Sequence, residues 1–190
     1  MQEGLLLVGS TEKSRAMLQS LVPPDRYGTV RLCRSSAEAR RYVVTAEPSV
    51  TVISAPLSDE SGLELAMTLA HQTISGVLLL VKAELADTVA SRVEEYGVQV
   101  LSKPVAKPLF DQALRFSMAT RRRMLALQEE NQRLEKKLAE LRLVDRAKCV
   151  LIQYLGMTEE QAHRQIEKQA MDTRQTKAAI ARSILATYEM

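Results

Sequence analysis

The first 105 residues alternate short, almost purely apolar runs with stretches whose apolar residues recur at helical spacing. Five apolar runs predict β-strands, at residues 4–8, 29–33, 50–54, 76–81 and 98–101. Four amphipathic helices are expected between them, at residues 11–21, 36–46, 62–71 and 85–95. Strands that are apolar on both faces and alternate with helices are typical of a parallel, doubly wound α/β sheet.

A long stretch without Gly or Pro follows, from Phe110 to about residue 144, and its apolar residues change to a heptad pattern. The two core positions of the heptad are filled by Met124, Leu127, Asn131, Leu134, Leu138 and Leu141. Three such heptads predict a coiled-coil helix that forms a homodimer, and a buried Asn favours a fixed register. The alternative is that this helix packs against its own domain.

Three further helical patterns follow this stretch. The first covers residues 145–154, continues the long helix and ends at Gly156. In the second, Thr158 is expected to cap the helix and Gln161 to complete a capping box. The third covers residues 175–188. Together they predict a small three-helix bundle at residues 144–190, preceded by a coiled-coil linker at residues 121–143.

The composition and the charge of the chain exclude some classes of function. Apolar residues make up 46% of the chain, but aromatic residues only 4%, which leaves few side chains for a base-stacking sheet. The apolar stretches are shorter than the roughly 20 residues of a membrane span. Residues 1–119 hold 12 basic and 13 acidic residues, whereas residues 120–190 hold 14 and 10. A soluble, cytoplasmic protein with a mildly basic C-terminal part is expected, and both Cys33 and Cys149 are expected to be buried thiols.

The order of strands and helices, the loop at residues 54–62 and the Lys103-Pro104 dipeptide resemble the response-regulator receiver domain, over residues 1–120. The resemblance implies a flavodoxin-like fold with an aspartate nucleophile and an acid pair that holds Mg²⁺. Here the corresponding positions carry no carboxylate: Ser54 replaces the nucleophile, and Gly9 and Ser10 replace the acid pair. The position of the Thr/Ser switch is Val81, so that only Lys103 of the usual set remains. We therefore expect a pseudo-receiver without metal, cofactor or aspartyl phosphorylation, which a regulatory protein partner controls.

The C-terminal segment resembles the ANTAR domain of transcription antiterminators. The resemblance rests on Ala147-Lys148, on residues 156–159 with Ala162, on residues 170–172 with Arg174, and on Lys177 with Ile180-Ala181; Cys149 departs from the family's usual Gly. It implies binding to paired stem-loops of a leader transcript, which prevents a terminator hairpin from forming. The candidate RNA-binding residues are Arg146, Lys148, Arg174, Lys177 and Arg182.

Two other functions remain open at this stage: a DNA-binding transcription factor and a protein-interaction module that binds no nucleic acid. An enzyme is the least favoured class, because the chain has no Gly-rich phosphate loop and no paired nucleophile and base among its motifs. Asp59, Glu60 and Glu64 form an acidic cluster, for which a solvated loop and helix start is the favoured interpretation. His163 has no Cys or His at ligand spacing, so no metal role is expected.

Overall fold

The computed structural model describes residues 3–23 and 27–188, so the outermost residues of the predicted ranges 1–120 and 144–190 lie outside the described part. Five strands are present, β1 to β5, at Gly4–Gly9, Thr29–Cys33, Val50–Ser54, Gly76–Lys82 and Gln99–Lys103. Seven α-helices, α1 to α7, are found in the described residues, at Glu12–Leu21, Ser36–Thr45, Leu63–Gln72, Ala86–Val93, Lys107–Leu155, Glu159–Thr173 and Lys177–Tyr188. Short 3₁₀ turns flank α4 at Ala83–Leu85 and Glu94–Tyr96.

The strands form one parallel sheet in the order β2-β1-β3-β4-β5. This order reverses between β1 and β3, as in flavodoxin-like folds, and places the crevice for a functional site at the C-terminal ends of those two strands. The predicted strand positions and the doubly wound fold class are confirmed, with differences of one or two residues at the strand ends.

Each face of the sheet is covered by an apolar layer, because successive side chains of a strand point to opposite faces. On one face Ile53 and Leu79 pack with residues of α2, α3 and α4. On the other face Val52 and Leu78 pack with residues of α1 and with Phe110 of α5. Burial on both faces explains why the central strands read as continuous apolar runs in the sequence.

The C-terminal helices form their own apolar core. Ala147 and Leu151 of α5 pack with Ile166 of α6 and Ile184 of α7. Helix α5 ends before Gly156, whose φ of 64° lies in the left-handed region that glycine adopts without strain. The predicted capping box at the start of α6 is present, since the side chains and backbone N–H groups of Thr158 and Gln161 bond reciprocally.

The chain divides into two compact units, residues 1–126 and 127–190, and α5 contributes residues to both. In the described part of the chain, no helix combines the length and the apolarity that crossing a membrane requires.

The two cysteines differ in environment, contrary to the expectation that both are buried. Cys33 at the end of β2 is fully buried, and burial, with Glu38 nearby, raises the pKa of its thiol to about 11. Cys149 is exposed, because the helical period turns it away from the core-facing Ala147 and Leu151. The expectation of a buried thiol is therefore correct for Cys33 and wrong for Cys149.

Two members of the acidic cluster join the β3–α3 loop to α2 rather than standing free in solvent. The carboxylate of Asp59 accepts hydrogen bonds from the backbone N–H groups of Ser36 and Ala37, at 3.0 and 3.1 Å, and from the Ser36 hydroxyl at 2.6 Å. Glu60 pairs with Arg40 at 3.1 Å. Asp59 thus caps two N–H groups at the start of α2 that would otherwise lack a partner, and these bonds lower the pKa of its carboxyl to about 2.

Asp59→Ala is expected to lower the free energy of unfolding by about 1 kcal/mol at neutral pH, because two helix N–H groups lose their acceptor. The pKa of Asp59 is depressed in the folded state, so this contribution is present at neutral pH and is lost as the pH falls from about 4 through about 2. Urea unfolding of the wild type and the variant between pH 7 and pH 2 measures the difference. Glu47→Ala, at an exposed residue before β3, is the control, and an equal loss in both variants would contradict the capping role.

Candidate nucleic-acid interface and the degenerate receiver site

The C-terminal edge of the sheet holds the residues that occupy the receiver's phosphorylation positions. Gly9 of β1 lies beside Ser54 of β3 in the parallel register. Ser54 is buried, and its hydroxyl is 3.4 Å from the Nζ atom of Lys103. Lys103 also donates a short hydrogen bond to the backbone carbonyl of Ala55. Burial, and secondarily the positive charge of Lys82, lowers the pKa of Lys103.

A guanidinium group occupies the end of β1. Arg15 of α1 donates to the backbone carbonyls of Gly9 and Ser10, both at 2.9 Å, and its side chain is only 13% exposed. Ser10 in turn donates its hydroxyl to the carbonyl of Pro56 at 3.2 Å. The structure thus brings Gly9, Ser10, Ser54 and Lys103 to one edge, where hydroxyls, carbonyls and cations take the place of carboxylates.

Val81, at the position of the receiver's switch residue, is part of the apolar layer under α3 and α4 and is 4% exposed. It has no hydroxyl with which to bond a phosphoryl group. Among the described residues no group of three His, Cys, Asp or Glu side chains could hold a metal ion. At this edge the side chains of Arg15 and Lys103 instead bond to backbone carbonyls of the same domain.

In the second unit, Lys148 lies between two carboxylates. Its Nζ atom is 2.8 Å from Asp145, one turn earlier on α5, and 3.3 Å from Glu159 at the start of α6. The Lys148 side chain is 16% exposed, and the two carboxylates raise its pKa. Its ammonium group is therefore held in place on the surface of the bundle.

Lys177, the first residue of α7, forms a short ion pair with Glu167 of α6. This pairing lowers the pKa of the Glu167 carboxyl. The Nε2 atom of His163, one turn earlier on α6, lies 3.3 Å from the same carboxylate. His163 and Lys177 thus share one carboxylate partner, Glu167.

A groove of about 490 Å³ lies in the second unit between α5, α6 and the start of α7. Its walls include Lys148 and Lys177 and a third lysine, Lys137, which the sequence did not single out. His163 lines it as well. The structure therefore brings two of the five predicted RNA-binding residues to one concave surface.

Arg174 has an unusual backbone. It follows α6 with φ 54° and ψ 36°, and in the described residues no other non-glycine residue has positive φ. A non-glycine residue in this conformation is strained, and glycine is the usual residue at such a helix end. Its side chain is exposed and forms no ion pair within the described part of the chain, and the same is true of Arg182 on α7. Arg146 is exposed on α5.

Two tyrosines that are distant in the sequence form an aromatic pair in the second unit. Tyr154 of α5 and Tyr188 of α7 lie with ring centroids 5.5 Å apart, and Tyr154 is 58% exposed. Helical spacing alone does not show that the last turns of two helices distant in sequence come together.

The predicted heptad positions on α5 are exposed in the single chain. Leu127 and Leu141 are 64% and 63% exposed, and Leu134 and Leu138 about half. Asn131 in the same row is exposed as well, and Met124, which belongs to the first unit, is 50% exposed. No neighbouring helix of the described second unit covers this row, which we name the α5 seam and define as Leu127, Asn131, Leu134, Leu138 and Leu141.

Known proteins resemble both parts of this chain. The signal receiver domain of an HD domain-containing protein from Pseudomonas fluorescens Pf-5 matches with a TM-score of 0.59 and 23% identity, over 66% of this chain and 93% of that one. The two-component transcriptional regulator AraC from Clostridium phytofermentans ISDg matches with a TM-score of 0.58 and 15% identity, over 65% and 98%. The N-terminal domain therefore has the receiver fold, as predicted.

Residues 132–185 match the ANTAR domain family. The transcriptional regulatory protein PdtaR of Mycobacterium tuberculosis is 25% identical over 173 residues, which cover 91% of this chain and 84% of that protein. The chain therefore contains an ANTAR domain behind a receiver-like domain, which confirms the resemblance drawn from the sequence.

We expect neither the wild type nor Ser54→Asp to form an acyl phosphate with acetyl phosphate and Mg²⁺. An aspartate at position 54 supplies a nucleophile, but the end of β1 offers carbonyls that already bind Arg15, and no acid pair to hold the metal. An aspartate at Gly9 would meet a further obstacle, because a Cβ atom there would lie 2.7 Å from the Ser14 hydroxyl. Intact-mass spectrometry measures the modification, with an active receiver treated in parallel as the control. A base-labile phosphoprotein in the wild type would show that the site is functional.

Proposed function

We propose that this protein is an RNA-binding antitermination regulator, which binds paired stem-loops in a leader transcript through its ANTAR domain and thereby prevents terminator formation. The observation that carries the proposal is the strained, exposed Arg174 within the ANTAR domain. A left-handed arginine is less stable than glycine at a helix end, and here it presents an exposed guanidinium group directly after α6. Cationic side chains on a helical surface suit the phosphates of an unpaired RNA loop.

The remaining candidates support this assignment to different degrees. Arg182 is exposed like Arg174, whereas Lys148 and Lys177 reach RNA only if they exchange their carboxylate partners. Arg146 lies on α5, two residues before Lys148. Arg146 and Lys148 lie on α5, Lys177 and Arg182 on α7, and Arg174 directly after α6, so a bound loop would contact several elements of the bundle at once.

Dimerisation through the α5 seam is part of the proposal. Large apolar side chains in one row, about half exposed or more, are unfavourable in water, and a second copy of the helix would bury them. Two linked ANTAR domains would bind two stem-loops more tightly than one, because the second contact becomes intramolecular.

Control by a protein partner on the receiver-like domain, rather than by phosphorylation, completes the proposal. Ser54, Lys103 and Arg15 bond to neighbouring groups of the same domain. No carboxylate stands at the phosphorylation position to accept a phosphoryl group. A partner that recognises the surface of the domain needs no such acceptor.

The wild type is expected to bind a two-hairpin leader RNA more tightly than a single hairpin or duplex DNA, and to bind less tightly as salt rises. Leu134→Lys places a charge in the seam, so it is expected to yield monomers that bind two-hairpin and single-hairpin RNA with equal affinity. Mobility shifts at two salt concentrations measure affinity, and light scattering measures mass.

Lys136→Ala, an exposed residue outside the seam, is the matched control and should behave as the wild type. Equal binding of duplex DNA and RNA would favour a DNA-binding regulator instead. Absence of binding to any nucleic acid would leave a protein-interaction module. Retention of the dimer in Leu134→Lys would contradict the role of the seam.

The substitution Arg174→Gly is expected to raise the stability of the protein but to lower its affinity for RNA. Glycine relieves the left-handed strain, so the free energy of unfolding should rise by up to about 1 kcal/mol. Loss of the guanidinium should weaken RNA binding by about fivefold or more. Thermal unfolding and RNA titration measure the two effects on one sample. Arg164→Ala, which removes a cation already paired with Glu160, is the control, and unchanged RNA affinity in Arg174→Gly would contradict the assigned role.

A further inference from the structure

The groove between α5, α6 and α7 is lined by side chains of both charges, including the acidic residues Glu140 and Asp145. Three lysines line it: Lys137, Lys148 and Lys177. Two of them pair with carboxylates: Lys148 with Asp145 of α5 and Glu159 of α6, and Lys177 with Glu167 of α6. The volume of about 490 Å³ falls within the range of about 300–1,000 Å³ that is typical of pockets for small organic groups. The groove therefore has room for a nucleotide, but two of its three lysines already pair with carboxylates.

The partners in these ion pairs are fixed to different extents. The Lys148 side chain is 16% exposed, whereas the Glu159 side chain that contacts it is 78% exposed. An exposed carboxylate in water gains little from such a pair, and its side chain is free to turn into solvent. The lysine remains in the groove when the carboxylate leaves.

Lys177 occupies a position that does not favour a cation. It is the first residue of α7, and the positive end of the helix dipole destabilises a positive charge there. Glu167 compensates for this charge in the unbound protein. An anionic ligand would compensate for it equally well.

We infer that Glu159 and Glu167 keep the groove closed to anions, and that an RNA phosphate enters by replacing these carboxylates on Lys148 and Lys177. This inference rests on the proposed RNA-binding function. The exchange replaces Glu159 on Lys148, which keeps its pair with Asp145, and Glu167 on Lys177, so neither lysine is left unpaired. The displaced carboxylates pass into solvent, where they are fully hydrated. Lys137 becomes a further phosphate-binding residue of the same groove.

The exchange has a consequence for affinity. RNA has to compete with two internal carboxylates, so the ANTAR domain binds more weakly than its number of cations suggests. Removing a carboxylate without removing its lysine therefore strengthens binding. It also makes binding more sensitive to salt, because a released lysine adds to the number of phosphates neutralised.

The test uses the full-length protein and a two-hairpin leader RNA, titrated at two salt concentrations. Glu159→Gln and Glu167→Gln are each expected to tighten binding about two- to fivefold and to steepen its salt dependence. Glu160→Gln is the matched control, since Glu160 is the next residue on α6 but pairs with Arg164 outside the groove. It should change the affinity less than either.

A double-mutant cycle separates the exchange from a general effect of net charge. With Lys148→Ala already present, Glu159→Gln should give no further gain, and with Lys177→Ala present, Glu167→Gln should give none. Three results would overturn the inference while leaving RNA binding in place. These are a gain in RNA affinity that persists without the lysine, a gain equal to that of Glu160→Gln, and no gain at all. If neither the wild type nor any variant binds RNA, the proposed function fails and the inference fails with it.

Discussion

The structure depends on one continuous helix that supplies apolar side chains to the cores of both units. Near its start, Phe110 and Leu114 close one face of the parallel sheet. Near its end, Ala147 and Leu151 provide the wall on which α6 and α7 pack. A bundle of three short helices has little core of its own, so the ANTAR domain requires this wall to fold. Any change that breaks α5 is therefore expected to disturb the core of each unit it contributes to.

At the degenerate receiver site, cations already bond to backbone oxygens. Lys103 bonds to the carbonyl of Ala55, and Arg15 to the carbonyls of Gly9 and Ser10. In a receiver that is phosphorylated, the positive charge at this edge comes from a metal that binds only when acids hold it. Here the positive charge is carried by the side chains of Lys103 and Arg15, which are covalently part of the chain. These backbone oxygens therefore have hydrogen-bond partners without a bound ion.

Much of the fold could be predicted because strong periodicities determine it. The uninterrupted apolar runs of β1, β3 and β4 identified buried parallel strands, and Thr158 with Gln161 marked the start of α6. The site was less accessible to sequence reasoning. The ion pairs of Lys148 and Lys177 and the stacking of Tyr154 on Tyr188 join residues on different helices, and no local pattern records such contacts. The hydrogen bonds between Asp59 and the start of α2 could not be predicted for the same reason.

The contrast between the two cysteines makes the chain directly accessible to spectroscopy. At neutral pH only the thiolate reacts with a maleimide or a spin label, and Cys33 is both buried and of raised pKa. Cys149 is exposed on α5, inside the ANTAR domain. The native sequence thus offers one addressable thiol per chain without any mutation. In a dimer, the distance between two such labels distinguishes parallel from antiparallel helices, because only a parallel pair brings the labels close together.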